Sequence, residues 1–213
     1  MLIIPETATI LQFAVATFIL AITPGPDMTL FVGRALSQGR AAGFACMSGA
    51  MTGILIHTTL VSVGLSALLV ASPAAFLTLK IFGAAYLVWL AYQAIRHGSA
   101  FRPETRGGRK SSLLRNWAAG LGINLMNPKI ILFFMTFLPQ FVSASDPYAP
   151  QKLFVLGILF IAFALPVTVP MVLAAHGFST LLKKSPKVTR LVDYLFAGVF
   201  SAFAIKILTA QGR

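Results

Sequence analysis

The sequence is poor in charged residues, in acidic residues above all, and in cysteine. Only 10% of its 213 residues are charged, and five of them are Asp or Glu, whereas roughly 25% of residues are charged in a soluble domain. Hydrophobic residues make up 57% of the chain, and its mean hydropathy is +0.85. This balance excludes a soluble domain and indicates an integral membrane protein. The single cysteine, Cys46, excludes an intramolecular disulfide and a carrier of reducing equivalents that works through a cysteine pair.

Patterns typical of catalysis and of metal binding are also missing. The sequence has no Gly-x-Ser-x-Gly elbow and no His-Glu-x-x-His motif, and its three histidines, His57, His97 and His176, are scattered. An intramembrane enzyme needs a nucleophile paired with a base, so we expect no enzyme and no cofactor. A divalent metal-ion exporter remains the alternative, although several intramembrane acids, His or Cys would be needed as ligands and only Asp27 is well placed.

Long apolar runs separated by short connections predict six transmembrane helices. Their boundaries lie at about residues 7–33, 43–70, 74–95, 116–142, 151–181 and 188–209. We expect an all-α membrane protein with a single transporter domain over residues 1–213, consisting of a three-helix half at 1–96, a basic linker at 97–115 and a second three-helix half at 116–213. Because three is an odd number, the second half enters the membrane upside down. The two halves should therefore form an inverted repeat.

Basic residues are concentrated in alternate connections. They are Arg34 and Arg40 between the first two spans, Arg96, Arg102, Arg106, Arg109, Lys110 and Arg115 between the third and fourth, and Lys183, Lys184, Lys187 and Arg190 between the last two. The positive-inside rule places these connections in the cytoplasm and both termini outside. The same charges account for the net charge of +12. In short loops they favour membrane lipid, and no nucleic acid, as the partner.

Two charged residues stand inside apolar spans, each next to a proline. A charge within a bilayer is costly and indicates function, and proline breaks the helix and frees backbone polar groups. A Gly/Pro-interrupted segment at the same place in both halves is typical of a transporter's binding site. The predicted substrate site consists of Pro24, Gly25, Pro26 and Asp27 in the first span and Asn127, Pro128 and Lys129 in the fourth.

The depths of the two charges argue against a direct ion pair. Asp27 stands seven residues before Arg34, and Lys129 fourteen residues after Arg115. At ~1.5 Å per residue, these positions are ~10 and ~20 Å from the cytoplasmic edge of a core ~30 Å thick. A bound zwitterion fits between them. Other roles remain open, since the prolines can merely kink the helices and the stem of Lys129 can reach a carbonyl of another helix.

Further polar residues in the spans have two interpretations each. Gly49 and Gly53 allow close approach of helix backbones. His57, one turn later, is either a hydrogen-bonded packing residue or a group that relays protons. Lys80 and Lys206, nearer the span ends, are expected to extend to the membrane interface.

The motifs resemble the LysE/RhtB family of bacterial amino-acid efflux transporters over nearly the whole chain. The matching residues are Thr23-Pro24-Gly25-Pro26-Asp27, Gly39-Arg40-Ala41-Ala42-Gly43, Gly49, Gly53 and His57, Lys80, Gly83-Ala84 and Tyr86-Leu87, Asn127-Pro128-Lys129, Phe133-Phe134 and Leu138-Pro139-Gln140-Phe141. This resemblance implies a six-helix exporter in the bacterial inner membrane that moves amino acids or close derivatives outward by proton antiport. A homodimer is plausible for so small a protein.

The resemblance and the residues together suggest a mechanism. Half-helices beginning near Met28 and Ile130 would bind the substrate carboxylate together with Lys129, because helix N-termini favour anions. Asp27 would receive the substrate ammonium in exchange for a proton, with His57 as a second proton-coupling candidate. No second acid for a basic side chain is evident within the spans. A neutral or hydroxylated substrate such as threonine, homoserine or leucine is therefore favoured.

Overall fold

The first half of the chain folds into four helical segments. The computed structural model describes residues 3–71, 73–97, 111–143 and 146–209, and the regular secondary structure in these ranges is helical. The segments are α1 (Thr7–Ile22), α2 (Pro26–Gln38), α3 (Arg40–Ala71) and α4 (Pro73–His97). A break at residues 23–25 bends α1 against α2 by 53°. At the other end of α2, Gly39 turns the chain into α3 with a φ of +96°, which glycine adopts without steric cost.

The second half begins with another broken helix. Its segments are α5 (Leu113–Met126), α6 (Pro128–Leu132), a π-helical turn (Phe133–Phe137), a 3-10 turn (Leu138–Phe141), α7 (Ala149–Leu173), α8 (Ala175–Lys184) and α9 (Pro186–Thr209). The segment over residues 128–141 is bent against α5 by 53°, the angle found at the first break. Both breaks thus stand at the prolines that predicted them. Residues 98–110 of the predicted linker lie outside the described residues, as do the side chains of Lys80 and Lys206.

Several of these helices are long and apolar enough to cross a bilayer. Within the described residues, Arg40–Gly64 of α3 and all of α7 qualify singly, and the two bent pairs qualify if each is one span. The described residues therefore support up to four spans. Helices α4 and α9, with 25 and 24 residues, are ~38 and ~36 Å long at ~1.5 Å per residue. They stand where the other two spans are expected, and the total of six remains a prediction.

The predicted fifth span, about residues 151–181, is divided in the structure. Helix α7 ends at Leu173, and Ala174 leaves helical geometry with φ −103° and ψ 30° before α8 begins. A continuous helix over the predicted range would measure ~46 Å, well beyond a ~30 Å hydrocarbon core. The division coincides with a change in composition. The sequence of α7 is apolar, whereas His176, Ser179 and Thr180 follow it in α8.

Helix α3 is the centre of the packing, in contact with α2, α5 and α7, while α1 packs on α7 and α4 on α9. Glycines bring α3 and α5 together. A Cβ on Gly49 would lie 1.9 Å from Trp117 O, and a Cβ on Gly120 would lie 1.9 Å from Cys46 O. The predicted close approach at Gly49 is confirmed, because no side chain larger than hydrogen fits at this crossing.

A cluster of phenylalanines packs behind the second break. Phe133 and Phe137, in the π-helical turn, are buried, and their ring centroids are 4.8 Å apart. Phe133 also contacts Phe160 of α7 at 5.2 Å, and Phe137 contacts Phe200 of α9 at 5.4 Å. Such tilted aromatic contacts add specific geometry to their burial. They fix the chain after the break against two other helices.

Two glycines of α5 allow a matched test of the helix crossing. Gly120→Ala should destabilise the protein by about 1–3 kcal/mol, because the new methyl group collides with the backbone of α3. Gly122→Ala, two residues along, meets nothing within 4 Å and should be neutral or slightly stabilising, since Ala is the better helix former. Thermal unfolding of the purified variants in detergent measures the difference. Equal melting temperatures would contradict this packing.

Candidate functional site

The first break exposes backbone carbonyls at the end of α1. The hydroxyl and N–H of Thr23 both donate to Ile19 O, at 2.6 and 3.1 Å. Pro24 has no N–H, so Leu20 O loses the donor that a continuous helix would supply. Gly25 is fully extended, and α2 then starts at Pro26 with Asp27 in its first turn. An acid is electrostatically favoured at this end of a helix.

The second break is capped by its own asparagine. Asn127 Oδ1 accepts a hydrogen bond of 3.1 Å from the N–H of Lys129, which is a typical N-cap. Pro128 occupies the first helical position, where a missing N–H costs nothing. Lys129 is thereby placed in the first turn after the break.

The side chain of Lys129 crosses to the first break. Its ammonium donates to Thr23 O at 3.0 Å and to Leu20 O at 3.4 Å. Gly25 makes this approach possible, because a Cβ there would lie 2.8 Å from Nζ. Lys129 thus supplies hydrogen bonds to the end of α1, and of the roles left open by the sequence, a contact with another helix's carbonyls is the one observed.

Asp27 is bound by a residue that the sequence analysis did not single out. Asn124 Nδ2, in the last turn of α5, donates to Asp27 Oδ2 at 2.8 Å. Asn124 is fully buried and lies against Gly53, where a Cβ would be 2.5 Å from its Oδ1. Asp27 and Lys129, both within the described part of the chain, do not form an ion pair, as their predicted depths indicated.

Several buried polar atoms at the breaks have no hydrogen-bond partner among the described residues. They are Asp27 Oδ1, Asn124 Oδ1 and Asn127 Nδ2. Buried polar atoms are rarely left unpaired, because each costs about 1–3 kcal/mol. Because the side chain of Asn127 also interacts with Asp27, the unused hydrogen-bonding capacity at the breaks is mainly that of acceptor oxygens.

A cavity of about 50 Å³ opens where the two breaks meet. It is lined by Leu20, Ala21, Asp27, Met28, Phe31, Ala50, Met51, Ile54, Asn124, Lys129, Ile130, Phe160, Ala164 and Thr168. Ten of these residues are apolar, and the polar ones are a carboxylate, an amide, an ammonium and a hydroxyl. A mainly apolar wall with a few convergent polar groups is typical of a small-molecule site.

The predicted site residues divide into two groups. Asp27 and Lys129 line the cavity, whereas Pro24, Gly25, Pro26, Asn127 and Pro128 form the breaks that position them. His57 is outside the lining. Its Nε2 is 3.5 Å from Asn124 O, and its ring centroid is 5.9 Å from that of Phe134. His57 is joined to Asp27 by hydrogen bonds through Asn124, and the two side chains also interact electrostatically.

Two polar residues of the lining, Asn124 and Thr168, were not predicted from the sequence. Asn124 could have been found as a polar residue one turn before Asn127, inside an apolar span. Thr168 follows Pro166, and its hydroxyl donates to Ala164 O at 3.1 Å within α7. A threonine that bonds its own helix carries little signal in a sequence, because the same pattern is common in membrane helices.

Comparison with known proteins identifies the family. Residues 18–211 match the family model described as LysE type translocator. The chain belongs to the LysE-type translocator family. This translocator is 30% identical to the homoserine/homoserine lactone efflux protein of Salmonella typhimurium, over 93% of this chain and 95% of that protein. It is 23% identical to the leucine efflux protein of Klebsiella pneumoniae, over 94% and 95%.

A further relative is an uncharacterized membrane protein of Vibrio cholerae, 30% identical over 94% of this chain and 97% of that protein. No solved structure matches. The family and the apolar helices make the chain a multi-pass membrane transporter and not an enzyme. The resemblance inferred from the motifs is confirmed.

Asn124 gives a direct test of this translocator's site. Asn124→Leu keeps a similar volume but removes the donor to Asp27, and a hydrogen bond to a charged group contributes about 1.5–3 kcal/mol. Transport per inserted protein should fall by about 10- to 100-fold. Asn116→Leu is the matched control, since Asn116 is also buried in α5 but bonds Gln38 and Ser111 instead. Equal transport by both variants would remove Asn124 from the site.

Proposed function

We propose that this translocator exports amino acids or close derivatives across the bacterial inner membrane, and that protons move inward in exchange. One observation carries the proposal: a cavity joins the two helix breaks and is lined by Asp27 and Lys129, whose opposite charges act on each other without forming a direct ion pair. A zwitterion needs one group of each sign. The names of the two efflux relatives support amino acids as the substrate class and outward movement as the direction.

The two ends of the substrate bind different parts of the cavity. Asp27 Oδ1, which has no hydrogen-bond partner among the described residues, accepts the substrate ammonium. Lys129 and the N-terminal turn of α2 attract the carboxylate, because a helix N-terminus carries partial positive charge and free N–H groups. The apolar lining, including Met51, Ile54 and Phe160, faces the start of the substrate side chain.

The lining favours a small neutral substrate. A buried water takes about 10–15 Å³, so the cavity of about 50 Å³ holds about four waters. That is close to the headgroup of an amino acid. Asp27 is the acid among the lining residues that the structure describes, and a lysine or arginine substrate would need a second one. Homoserine and leucine, the substrates in the relatives' names, are neutral.

The architecture we propose is six spans in two inverted halves, residues 1–96 and 116–213, joined by the linker at 97–115. Both breaks have bends of 53°, and the contact of α3 with α5 has its counterpart in the contact of α7 with α1. In this arrangement α3 and α7 are equivalent helices of the two halves, as are α4 and α9. Each pair is in contact, and the contact would lie on the axis that relates the halves. Basic connections face the cytoplasm and both termini face outward.

Proton coupling is assigned to Asp27, which would carry either a proton or the substrate ammonium. His57 contacts the carbonyl of Asn124, whose side chain binds Asp27, and is the candidate for the proton's route. Membrane lipid is the proposed partner of the basic connections. A homodimer remains a prediction. A divalent metal as cargo is less well supported, because in the part of the chain the structure describes no three His, Cys, Asp or Glu side chains group together.

Efflux from preloaded cells tests the function. Cells that overexpress the protein should lose labelled homoserine, threonine or leucine faster than cells without it, and a protonophore should stop the difference because it dissipates the gradient that drives exchange. Uptake without efflux would refute export. Unchanged movement of every amino acid, together with resistance to a divalent metal, would favour the metal exporter.

Replacing the carboxylate tests its assigned role. Asp27→Asn keeps the size of the side chain but removes the charge that binds the ammonium and carries the proton, so efflux should fall by about 100-fold for the loss of ~3 kcal/mol. Asp146→Asn is the matched control, because Asp146 bonds Lys152 and the N–H of Tyr148 at the start of α7, away from the cavity. Efflux is normalised to inserted protein. A wild-type efflux rate for Asp27→Asn would show that the carboxylate neither binds the substrate ammonium nor carries the proton.

A further inference from the structure

The carbonyls at the end of α1 bind an alkylammonium in this structure. Pro24 leaves Leu20 O without its helical donor, and the break leaves Thr23 O without one as well. The C-terminal end of a helix carries partial negative charge, which favours a cation. The cation present is the Lys129 ammonium, at 3.0 Å from Thr23 O and 3.4 Å from Leu20 O.

The surroundings of this ammonium differ from those of a purely structural contact. Leu20, Lys129 and Asp27 all line the same cavity, so a soluble ligand there would lie beside the Lys129 ammonium, which is 3.0 Å from Thr23 O. Asp27 Oδ1 is buried and accepts no hydrogen bond of good geometry from the described residues. Gly25 presents no side chain to the ammonium, which leaves the backbone open to it. The α-ammonium of an amino acid has the chemistry of the lysine side chain.

We infer that the carbonyls of Leu20 and Thr23 form a binding site for a primary ammonium group, at which the side chain of Lys129 and the α-ammonium of the substrate alternate. The alternation with the substrate's α-ammonium rests on the proposed function. The arriving ammonium takes the two carbonyls beside Asp27, and the displaced Lys129 ammonium pairs with the substrate carboxylate. Positive charge thus occupies the carbonyls throughout, and the carboxylate gains its partner only when the substrate has bound.

Chemical rescue tests the site without any transport measurement. Lys129→Ala removes the atoms from Cγ to Nζ, which together have the size and charge of n-propylammonium. The purified variant should melt below the wild type, and n-propylammonium should raise its melting temperature by a few degrees at ten times the dissociation constant. Two control compounds should not raise the melting temperature: n-propanol, which is neutral, and tetramethylammonium, which is charged but has no N–H. Lys152→Ala, which loses a lysine bound to Asp146 at the surface, should show no selective response.

A second variant changes the size of the probe. Lys129→Met retains a side chain of similar length and removes only the charged tip, so the ammonium ion, and not n-propylammonium, should stabilise it. Each variant should therefore be stabilised by a different amine, Lys129→Ala by n-propylammonium and Lys129→Met by the ammonium ion. This result is expected only if the amine binds at the position of Nζ. Lack of selective stabilisation in both variants would overturn the inference. Failure of both to fold in any amine would also overturn it, since the ammonium would then be a fixed structural element.

Competition tests the link to the substrate. In liposomes containing Lys129→Met, which lacks the competing ammonium, added ammonium ion should inhibit the residual efflux of the amino acid that the wild type exports, and the wild type should be at least several-fold less sensitive. Amine binding with no competition would overturn the shared site while leaving the export function intact. Absence of amino-acid efflux from the wild type would instead refute the proposed function, and the rescue experiment would still decide whether the ammonium site exists.

Discussion

A backbone carbonyl without a donor is costly inside an apolar protein, and the arrangement of this translocator depends on how the first helix break resolves that cost. Pro24 removes the donor that Leu20 O would have had. The replacement comes from the other half of the chain, where Lys129 extends its ammonium to Leu20 O and Thr23 O. The two halves are therefore joined at the point where each is interrupted. A cavity at that point is a consequence of the breaks.

The second contact between the breaks depends on close helix packing. Asn124 reaches Asp27 from α5, and α5 lies close enough to α3 only because Gly49, Gly53 and Gly120 have no side chains at the crossing. Small residues at such crossings allow backbones to approach in a membrane. The glycines thus affect the site only by allowing the short distance between α3 and α5. They place an amide within 2.8 Å of the carboxylate without touching Asp27 themselves.

Rigid and adaptable parts of the site are separated. The phenylalanine cluster fixes the chain after the second break against α7 and α9, while the atoms that face the cavity are a long lysine stem and polar groups with unused hydrogen-bonding capacity. If this cavity is the transport site we propose, it must bind and release, so its contacts should be exchangeable, whereas the backbone that presents them should not move freely. The aromatic packing supplies that support.

The sequence by itself determined the class, the positions of both breaks and the two charged residues that line the cavity, because hydropathy, proline chemistry and the cost of a buried charge are local properties. It also indicated the family. Tertiary structure alone decided that Lys129 binds carbonyls of α1, that Asn124 holds Asp27 across 97 positions of sequence, and that Thr168 joins the lining. It also ended α7 at Leu173. These features depend on where distant helices cross, and such crossings leave no periodic pattern in the chain.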